Sequence, residues 1–210
     1  MKIRMVVVLL VAVLGTVQAV STQDNCDFSD VDAEQMAQNV LRKLPYSYTN
    51  PDVRPEELFL GITLGAPEIK GANIFKIYGP VSSYCRNGDR FVQVDIVADN
   101  PVDYFAPWKI CNGKEGVIGA QGTARFTVTF EVANVTAQGE PHAERKRIIH
   151  TDLTPVSTHI NAVYLRGAGD LLKNAVGYSR FLLPGISAEV WGGAMEFELH
   201  KMIKKAAEDL

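Results

Sequence analysis

The residues best suited to acid–base chemistry are the four histidines: His142, His150, His159 and His200. His150 and Asp152 lie two residues apart in a stretch that alternates like a strand, so we expect them on one face. A carboxylate beside an imidazole can orient a general base, but catalysis also needs a positioned nucleophile. None accompanies this pair. We therefore interpret the pair as part of a polar sheet face and predict no catalytic residue.

Motifs that would supply other chemistry are missing from the sequence. The stretch from Gly177 to Phe181 has a serine at its centre but lacks the second glycine of a nucleophile elbow. No H-E-x-x-H helix, phosphate loop or dinucleotide fingerprint occurs. No C-x-x-C or nearby Cys/His pair has a zinc-binding spacing. The sequence thus predicts no enzyme activity, no cofactor and no metal site.

The three cysteines are Cys26, Cys85 and Cys111. Cysteines of secreted chains are usually oxidised. Cys85 and Cys111 lie at the ends of two stretches that we expect to pair, so we predict a Cys85–Cys111 disulfide. Cys26 would then be free, capped or joined to a second chain. Asn134-Val135-Thr136 is an N-glycosylation sequon, which makes Asn134 a candidate glycosylation site.

The first residues have the layout of a secretory signal peptide. Lys2 and Arg4 precede an uncharged apolar run from Met5 to Leu14, and small residues at 17 and 19 precede the expected cleavage after Ala19. The run is shorter than the ~20 residues that a spanning helix needs. We expect a secreted, extracellular protein without a membrane span.

Cleavage of 19 residues from the 210 would leave 191, which suits one domain over residues 20–210. It would remove two of the 21 basic residues, so that 19 face 24 acidic ones and the net charge is about −5. Nucleic-acid binding normally requires a basic surface. The composition therefore argues against a nucleic-acid partner.

The two ends of the mature chain are predicted to be helical. Apolar residues recur at three- and four-residue steps between Met36 and Leu44, Asp30 is a candidate N-cap, and Pro45 stops the helix. The segment from Val190 to Leu210 has a similar apolar face and lysines near its end.

Alternation predicts strands between these helices. Phe91–Val97 follows an Asn87-Gly88 hairpin signal, and a second turn signal lies at Asn112-Gly113. The clearest strand is 123–135, where Phe126, Val128, Phe130 and Val132 share one face. Further strands are expected at 148–152 and 160–165. The fold class is α+β: a long twisted antiparallel sheet wrapped around helices, with N-terminal and C-terminal helices.

A ligand site is expected where apolar residues are in excess. The inner face of the 123–135 strand is one such region. Phe181, Leu182 and Leu183, with Trp191 shortly after, form a second. A curved sheet over helices can leave an apolar cavity, the usual place for a small-molecule site. We predict that these two regions bind the ligand together.

The order of elements resembles a known superfamily. Leu64 to Gly79 contains a strand, a short turn and an I-x-G-x-x-I segment from Ile69 to Ile74, and an apolar tract precedes a charged last helix. This pattern resembles the TULIP superfamily, within it the group-7 mite allergens, and more distantly the juvenile-hormone-binding and takeout proteins. The resemblance implies a helix wrapped in a sheet, with an elongated lipid-binding groove or tunnel.

The sequence thus favours a secreted carrier of an apolar small molecule or lipid. A lipocalin barrel is disfavoured because that fold carries its Gly-x-Trp early, whereas Trp108 and Trp191 are both late. The alternatives are a secreted immune-recognition or extracellular interaction module that uses its sheet surface, and an enzyme of unrecognised type.

Overall fold

The computed structural model describes residues 27–57, 61–136, 144–182 and 184–210; for residues 134–136, 144–146, 150, 179–182 and 184 it describes the backbone alone. The predicted signal peptide lies outside these ranges, as does Cys26. Asn134 is described by its backbone only, so the predicted glycosylation stays a prediction.

The described chain is α+β, with one large antiparallel sheet and helices at both ends. The helices are α1 (Ala33–Arg42), α2 (Asp170–Leu182) and α3 (Pro184–Glu208). The short strands are β1 (Ser47–Thr49), β2 (Glu56–Glu57), β3 (Ile62–Leu64), β4 (Glu68–Lys70), β5 (Lys76–Ile77) and β6 (Ser82–Arg86). The long strands are β7 (Asp89–Ile110), β8 (Glu115–Thr136) and β9 (Glu144–Arg166).

Strand β7 organises the sheet. One of its edges pairs with four short strands, β3 to β6, and the other pairs with β8, which in turn pairs with β9. The predicted strands at 148–152 and 160–165 are parts of the single strand β9. Three long neighbouring strands give the inner face the length needed to accommodate α3.

The predicted hairpin between β6 and β7 is confirmed. Arg86 pairs with Asp89, and the two residues between them, Asn87 and Gly88, have φ angles of 57° and 90°. Positive φ at both central positions is the geometry that suits the twist of a two-residue hairpin, and Asn-Gly tolerates it best.

Strand β9 contains three β-bulges relative to β8. The register advances by one extra residue at Thr151, Val156 and Asn161. A bulge leaves one residue without a partner and increases the local right-handed twist. The bulges lie at five-residue intervals, so the added twist is spread along the strand.

The first helix is confirmed, but its predicted N-cap is wrong. The cap is Asp32, whose Oδ1 accepts a hydrogen bond of 2.9 Å from the backbone N–H of Gln35. Asp30 instead forms an ion pair of 2.8 Å with Arg90 of β7. Two acidic residues at this spacing both fit the N-cap pattern, and the tertiary partner decides between them.

Helix α2 was not predicted, and α3 begins six residues earlier than expected. Pro184 occupies the first turn of α3, where proline is tolerated. Within the I-x-G-x-x-I segment, Ala72–Ile74 form a 3₁₀ turn after Gly71, whose φ is 91°.

The core lies between the sheet and the helices α1 and α3. From β7 it takes Val92, Val94 and Ile96, and from β8 Phe126 and the alternate residues that follow. Phe75 packs on Phe126 with ring centroids 6.0 Å apart. No helix among the described residues is long and apolar enough to cross a membrane.

Candidate ligand site

The inner face of β8 changes character along its length. Its first half carries Gly116, Ile118, Ala120 and Gly122, and its second half carries Phe126, Val128, Phe130 and Val132. We call residues 116–122, with the parts of β7, β9 and α3 near them, the cavity half, and residues 124–132 with their neighbours the packed half. In the second half, large side chains fill the space under the helices, whereas in the first half the two glycines admit the rings of Trp108 and Trp191.

A cavity of about 390 Å³ lies in the cavity half, between the first turns of α3 and the sheet. This volume falls within the ~300–1,000 Å³ typical of small-molecule sites. The sheet contributes Leu64, Tyr104, Ile118, Ala120 and Ile160, and the helix contributes Ile186, Val190 and Trp191. The side chain of Val190 is 68% exposed, so the cavity opens to solvent at this point.

Trp191 forms a wall of the cavity and is only 2% exposed. Its ring packs against Gly122: a Cβ added there would lie 3.0 Å from the indole Cζ2 and 2.6 Å from the carbonyl oxygen of His159. Only glycine therefore lets the ring approach the strand this closely. The indole Nε1 is buried and has no hydrogen-bond partner in the described part of the chain.

A buried carboxyl group lies near the same cavity. Glu198 of α3 is 4% exposed, and its Oε1 accepts a hydrogen bond of 2.9 Å from Asn50 Nδ2. Its Oε2 has no partner among the described residues. Burial, and then the Glu198 carboxylate, raise the pKa of Tyr104, a residue of the cavity wall. Glu198 therefore lies within electrostatic range of Tyr104.

The outer face of the cavity half is polar and tightly bonded. The hydroxyl of Tyr164 donates to Asp103 Oδ1 at 2.5 Å, and burial followed by this bond raises the pKa of Tyr164. On the packed half the equivalent network joins Asp95 to Thr127 and Arg125. The first network joins β7 to β9 across β8, and the second joins β7 directly to β8.

The four β8 residues predicted to bind ligand lie on the inner face as expected, but in the packed half. Phe126, Val128, Phe130 and Val132 are buried in the core between the sheet and the helices. None of them lines the cavity at Trp191. Their role as ligand contacts stays a prediction.

The second predicted region divides between the described and undescribed parts of the chain. Trp191 lines the cavity, and so does Ile186 from the same tract. The side chains of Phe181 and Leu182, and the whole of Leu183, lie outside the described residues. The structure thus places the Trp191 ring against Gly122 and brings Trp191 and Ala120 to the same cavity.

The predicted Cys85–Cys111 disulfide is wrong. Cys111 is a free, exposed cysteine, and Cys85 is disulfide-bonded. Cys85 pairs with Arg90 near the start of β7, whereas Cys111 follows the last residue of that strand. Twenty residues of strand separate these positions, or roughly 65 Å at ~3.3 Å per residue. Bridging needs Cα atoms within ~7 Å.

The side chain of His150 lies outside the described residues, so the predicted pairing of His150 with Asp152 stays a prediction. In the backbone register, Asp152 lies opposite Thr129 and His150 opposite Phe130, with the bulge at Thr151 between them. In the described chain no group of three or more His, Cys, Asp or Glu residues is arranged to hold a metal ion.

The residues that sequence reasoning missed are the small ones. Gly116, Ala120 and Gly122 continue the alternation of Phe126 and Val128 towards the N-terminus, so their face was readable from the sequence. Of these three, Ala120 lines the cavity, whereas the two glycines accommodate the rings of Trp108 and Trp191.

Neither the family models nor the curated proteins compared with the chain include a match.

Proposed function

We propose that the protein is a secreted, non-catalytic carrier or binding protein for an apolar small molecule or lipid, which occupies the cavity beside Trp191. The observation that carries this proposal is the change from large to small side chains along one face of β8. It coincides with a cavity of about 390 Å³ whose wall is mostly aliphatic and aromatic. Secretion rests on the signal-peptide pattern of the first 19 residues.

The expected affinity follows from the area such a ligand would bury. An acyl chain that buries roughly 300 Å² of apolar surface gains ~7 kcal/mol at 25 cal/mol per Å². Immobilising the ligand consumes part of this gain, so micromolar dissociation constants are expected without strong polar anchors. Modest specificity is expected for the same reason, since apolar contacts are not directional.

The resemblance to the TULIP superfamily belongs to the same proposal. An N-terminal helix, a long antiparallel sheet and a long C-terminal helix that packs on its inner face agree with that likeness. In the proposal the sheet curves around α3, and the cavity is a segment of an elongated lipid-binding groove.

The experiment is a titration of delipidated protein with a neutral apolar fluorophore, N-phenyl-1-naphthylamine. Binding should be saturable and reversed by unlabelled lipid. Val190→Asp places a charge at the cavity mouth and should weaken binding by about tenfold, since a carboxylate near the apolar ligand must lose part of its hydration. The absence of saturable binding in the wild-type protein would contradict the proposal.

Val156→Asp is the matched control. Val156 lies at the second bulge of β9, is 49% exposed and does not line the cavity. Both variants exchange an exposed valine for aspartate, so neither is expected to unfold the protein. Probe binding should change less than twofold in Val156→Asp. An equal loss in both variants would mean that the cavity is not the binding site.

A second candidate function is an extracellular interaction module. The sequence placed such a surface on the sheet, whereas several of the most exposed apolar side chains lie on the helices. Leu171 of α2 is 88% exposed, and Leu172, Tyr178 and Phe197 are exposed as well. Exposed apolar groups that cluster are typical of protein contacts. Leu171→Ser would leave probe binding unchanged and would remove a partner that binds through α2.

A further inference from the structure

We infer that the ligand is an amphiphile whose apolar chain occupies the cavity beside Trp191 and whose anionic headgroup, a carboxylate or a phosphate, contacts Lys173 of α2. This inference rests on the proposed function, because it names the chemical class of the molecule that would occupy the same cavity. It adds to the site a second compartment, which lies between α2 and β9.

The second compartment has a volume of about 340 Å³ and adjoins the cavity. In the described chain β9 pairs only with β8, and α2 packs beside it. At Gly177 the helix comes close to the strand, since a Cβ added there would lie 4.0 Å from the carbonyl oxygen of Val163. Val163 also lines the cavity beside Trp191, so the two compartments meet at this residue.

The two compartments differ in polarity. The cavity beside Trp191 has a mostly aliphatic and aromatic wall, whereas α2 contributes Lys173, Asn174 and Tyr178 to the second compartment. Among the described residues that line either compartment, Lys173 is the only charged one. An apolar space that adjoins a space with a single cation matches the two ends of an anionic amphiphile, because the chain avoids water and the headgroup keeps a charged partner.

The ammonium group of Lys173 is available for such a contact. Lys173 is exposed and forms no ion pair within the part of the chain that the structure describes. Its ammonium group carries three donors and binds carboxylate or phosphate as a point charge, and Asn174 and Tyr178 carry further donors. The hydroxyl of Tyr164, which lines the same compartment, already donates to Asp103. Lys173 is therefore the expected partner of the headgroup.

The test measures how laurate, dodecyl phosphate and methyl laurate displace N-phenyl-1-naphthylamine from the wild-type protein and from Lys173→Gln. The three ligands have apolar chains of equal length, and only the first two are anions. The ratio of the methyl laurate to the laurate dissociation constant should be about three- to tenfold larger in the wild type than in the variant, because the variant loses a charged hydrogen-bond donor. The same change is expected for the ratio of methyl laurate to dodecyl phosphate.

Lys204→Gln is the matched control, because Lys204 is an exposed lysine of α3 that lines neither compartment. Both ratios should stay within about twofold of the wild type in this variant. A change for one anion alone would support the inference and would identify the headgroup as a carboxylate or a phosphate. Unchanged ratios in Lys173→Gln, or equal changes in both variants, would overturn the inference and leave the proposed function standing. Failure of all three ligands to displace the probe would remove both proposals.

Discussion

The two halves of β8 belong to one strand, and their inner faces both lie under α3. They differ in how closely the side chains on that face are packed. In the packed half, Phe126 and Phe130 are fully buried against α1, α3 and Phe75. In the cavity half, Ile118 is partly exposed and Gly122 has no side chain to offer. The two halves therefore differ in how fully their side chains fill the space between the sheet and the helices.

The largest effect expected from this comparison is on stability. Phe126→Ala should lower the free energy of unfolding by about 3–5 kcal/mol, because it removes buried atoms and leaves a void. Ile118→Ala should cost less than about 1.5 kcal/mol, because its side chain is already partly exposed beside open space, and should weaken probe binding. Urea denaturation of both variants provides the measurement. Equal losses would mean that the halves do not differ in packing.

The two ends of β7 offer the next test. Cys85 lies opposite Arg90, whose Nη1 donates to the carbonyl oxygen of Asp27 at 3.1 Å. The third cysteine of the chain, Cys26, directly precedes Asp27 in sequence. Non-reducing peptide mapping should therefore link Cys85 to the peptide that contains Cys26.

Cys85→Ser should cost about 2–5 kcal/mol, as loss of a native disulfide does. Cys111→Ser is the matched control at the cavity end and should change stability by less than about 0.5 kcal/mol, because its thiol is free and exposed. Recovery of a peptide linked through Cys111 would contradict this assignment.

Replacing alanine with a larger side chain should affect the two halves differently: it should lower stability in the packed half and probe binding in the cavity half. Ala120 and Ala124 lie four residues apart on the same face of β8. Ala124→Leu overpacks the buried core and should cost about 1–3 kcal/mol. Ala120→Leu enters the cavity, so stability should change little while probe binding falls sharply. Thermal melts paired with probe titrations distinguish the two, and retained binding in Ala120→Leu would show that the cavity is not used.

The smallest effect concerns the outer face of the packed half. The Thr127 hydroxyl, followed by Arg125, lowers the pKa of Asp95 below its usual 3.8. A carboxyl group with a depressed folded pKa contributes stability above its unfolded pKa and loses it as the pH falls through the folded value.

Asp95→Asn should therefore cost about 1 kcal/mol at pH 7 and less at pH 3, by urea midpoint. Thr127→Val removes the larger cause of the lowered Asp95 pKa. In that background, the cost of Asp95→Asn should differ less between pH 7 and pH 3. A cost independent of pH would show that the Asp95 network does not act through charge.

Local patterns in the sequence were sufficient for much of the fold. The Asn87-Gly88 hairpin, the inner face of β8 and the amphipathic character of α1 each depend on neighbouring residues and were predicted correctly. The lengths of β7 and β9 were not, because Asn and Pro inside them normally signal turns. At Asn100 and Pro101 of β7, the register shift against β8 provides the irregularity at which strands tolerate proline.

The candidate site was predicted less well, because it depends on which residues meet in three dimensions. Trp191 was identified from its apolar neighbours, but its contact with Gly122 joins residues from two distant elements. The cysteine pairing failed for a related reason: both residues were placed at strand ends, but nothing local indicated that these ends lie at opposite extremes of β7. A single free cysteine carries no sequence signal that distinguishes it from a bonded one.

The register of the three long strands has a geometric consequence. Between Val117 and Thr136, β8 uses 20 residues while β9 uses 23 from Glu144 to Arg166. On its other side, the irregularity after Ala98 gives β7 two more residues than the β8 segment it faces. The middle strand is thus the most regular of the three. Its neighbours take up their extra residues by local bends, which increase the right-handed twist on both sides of β8.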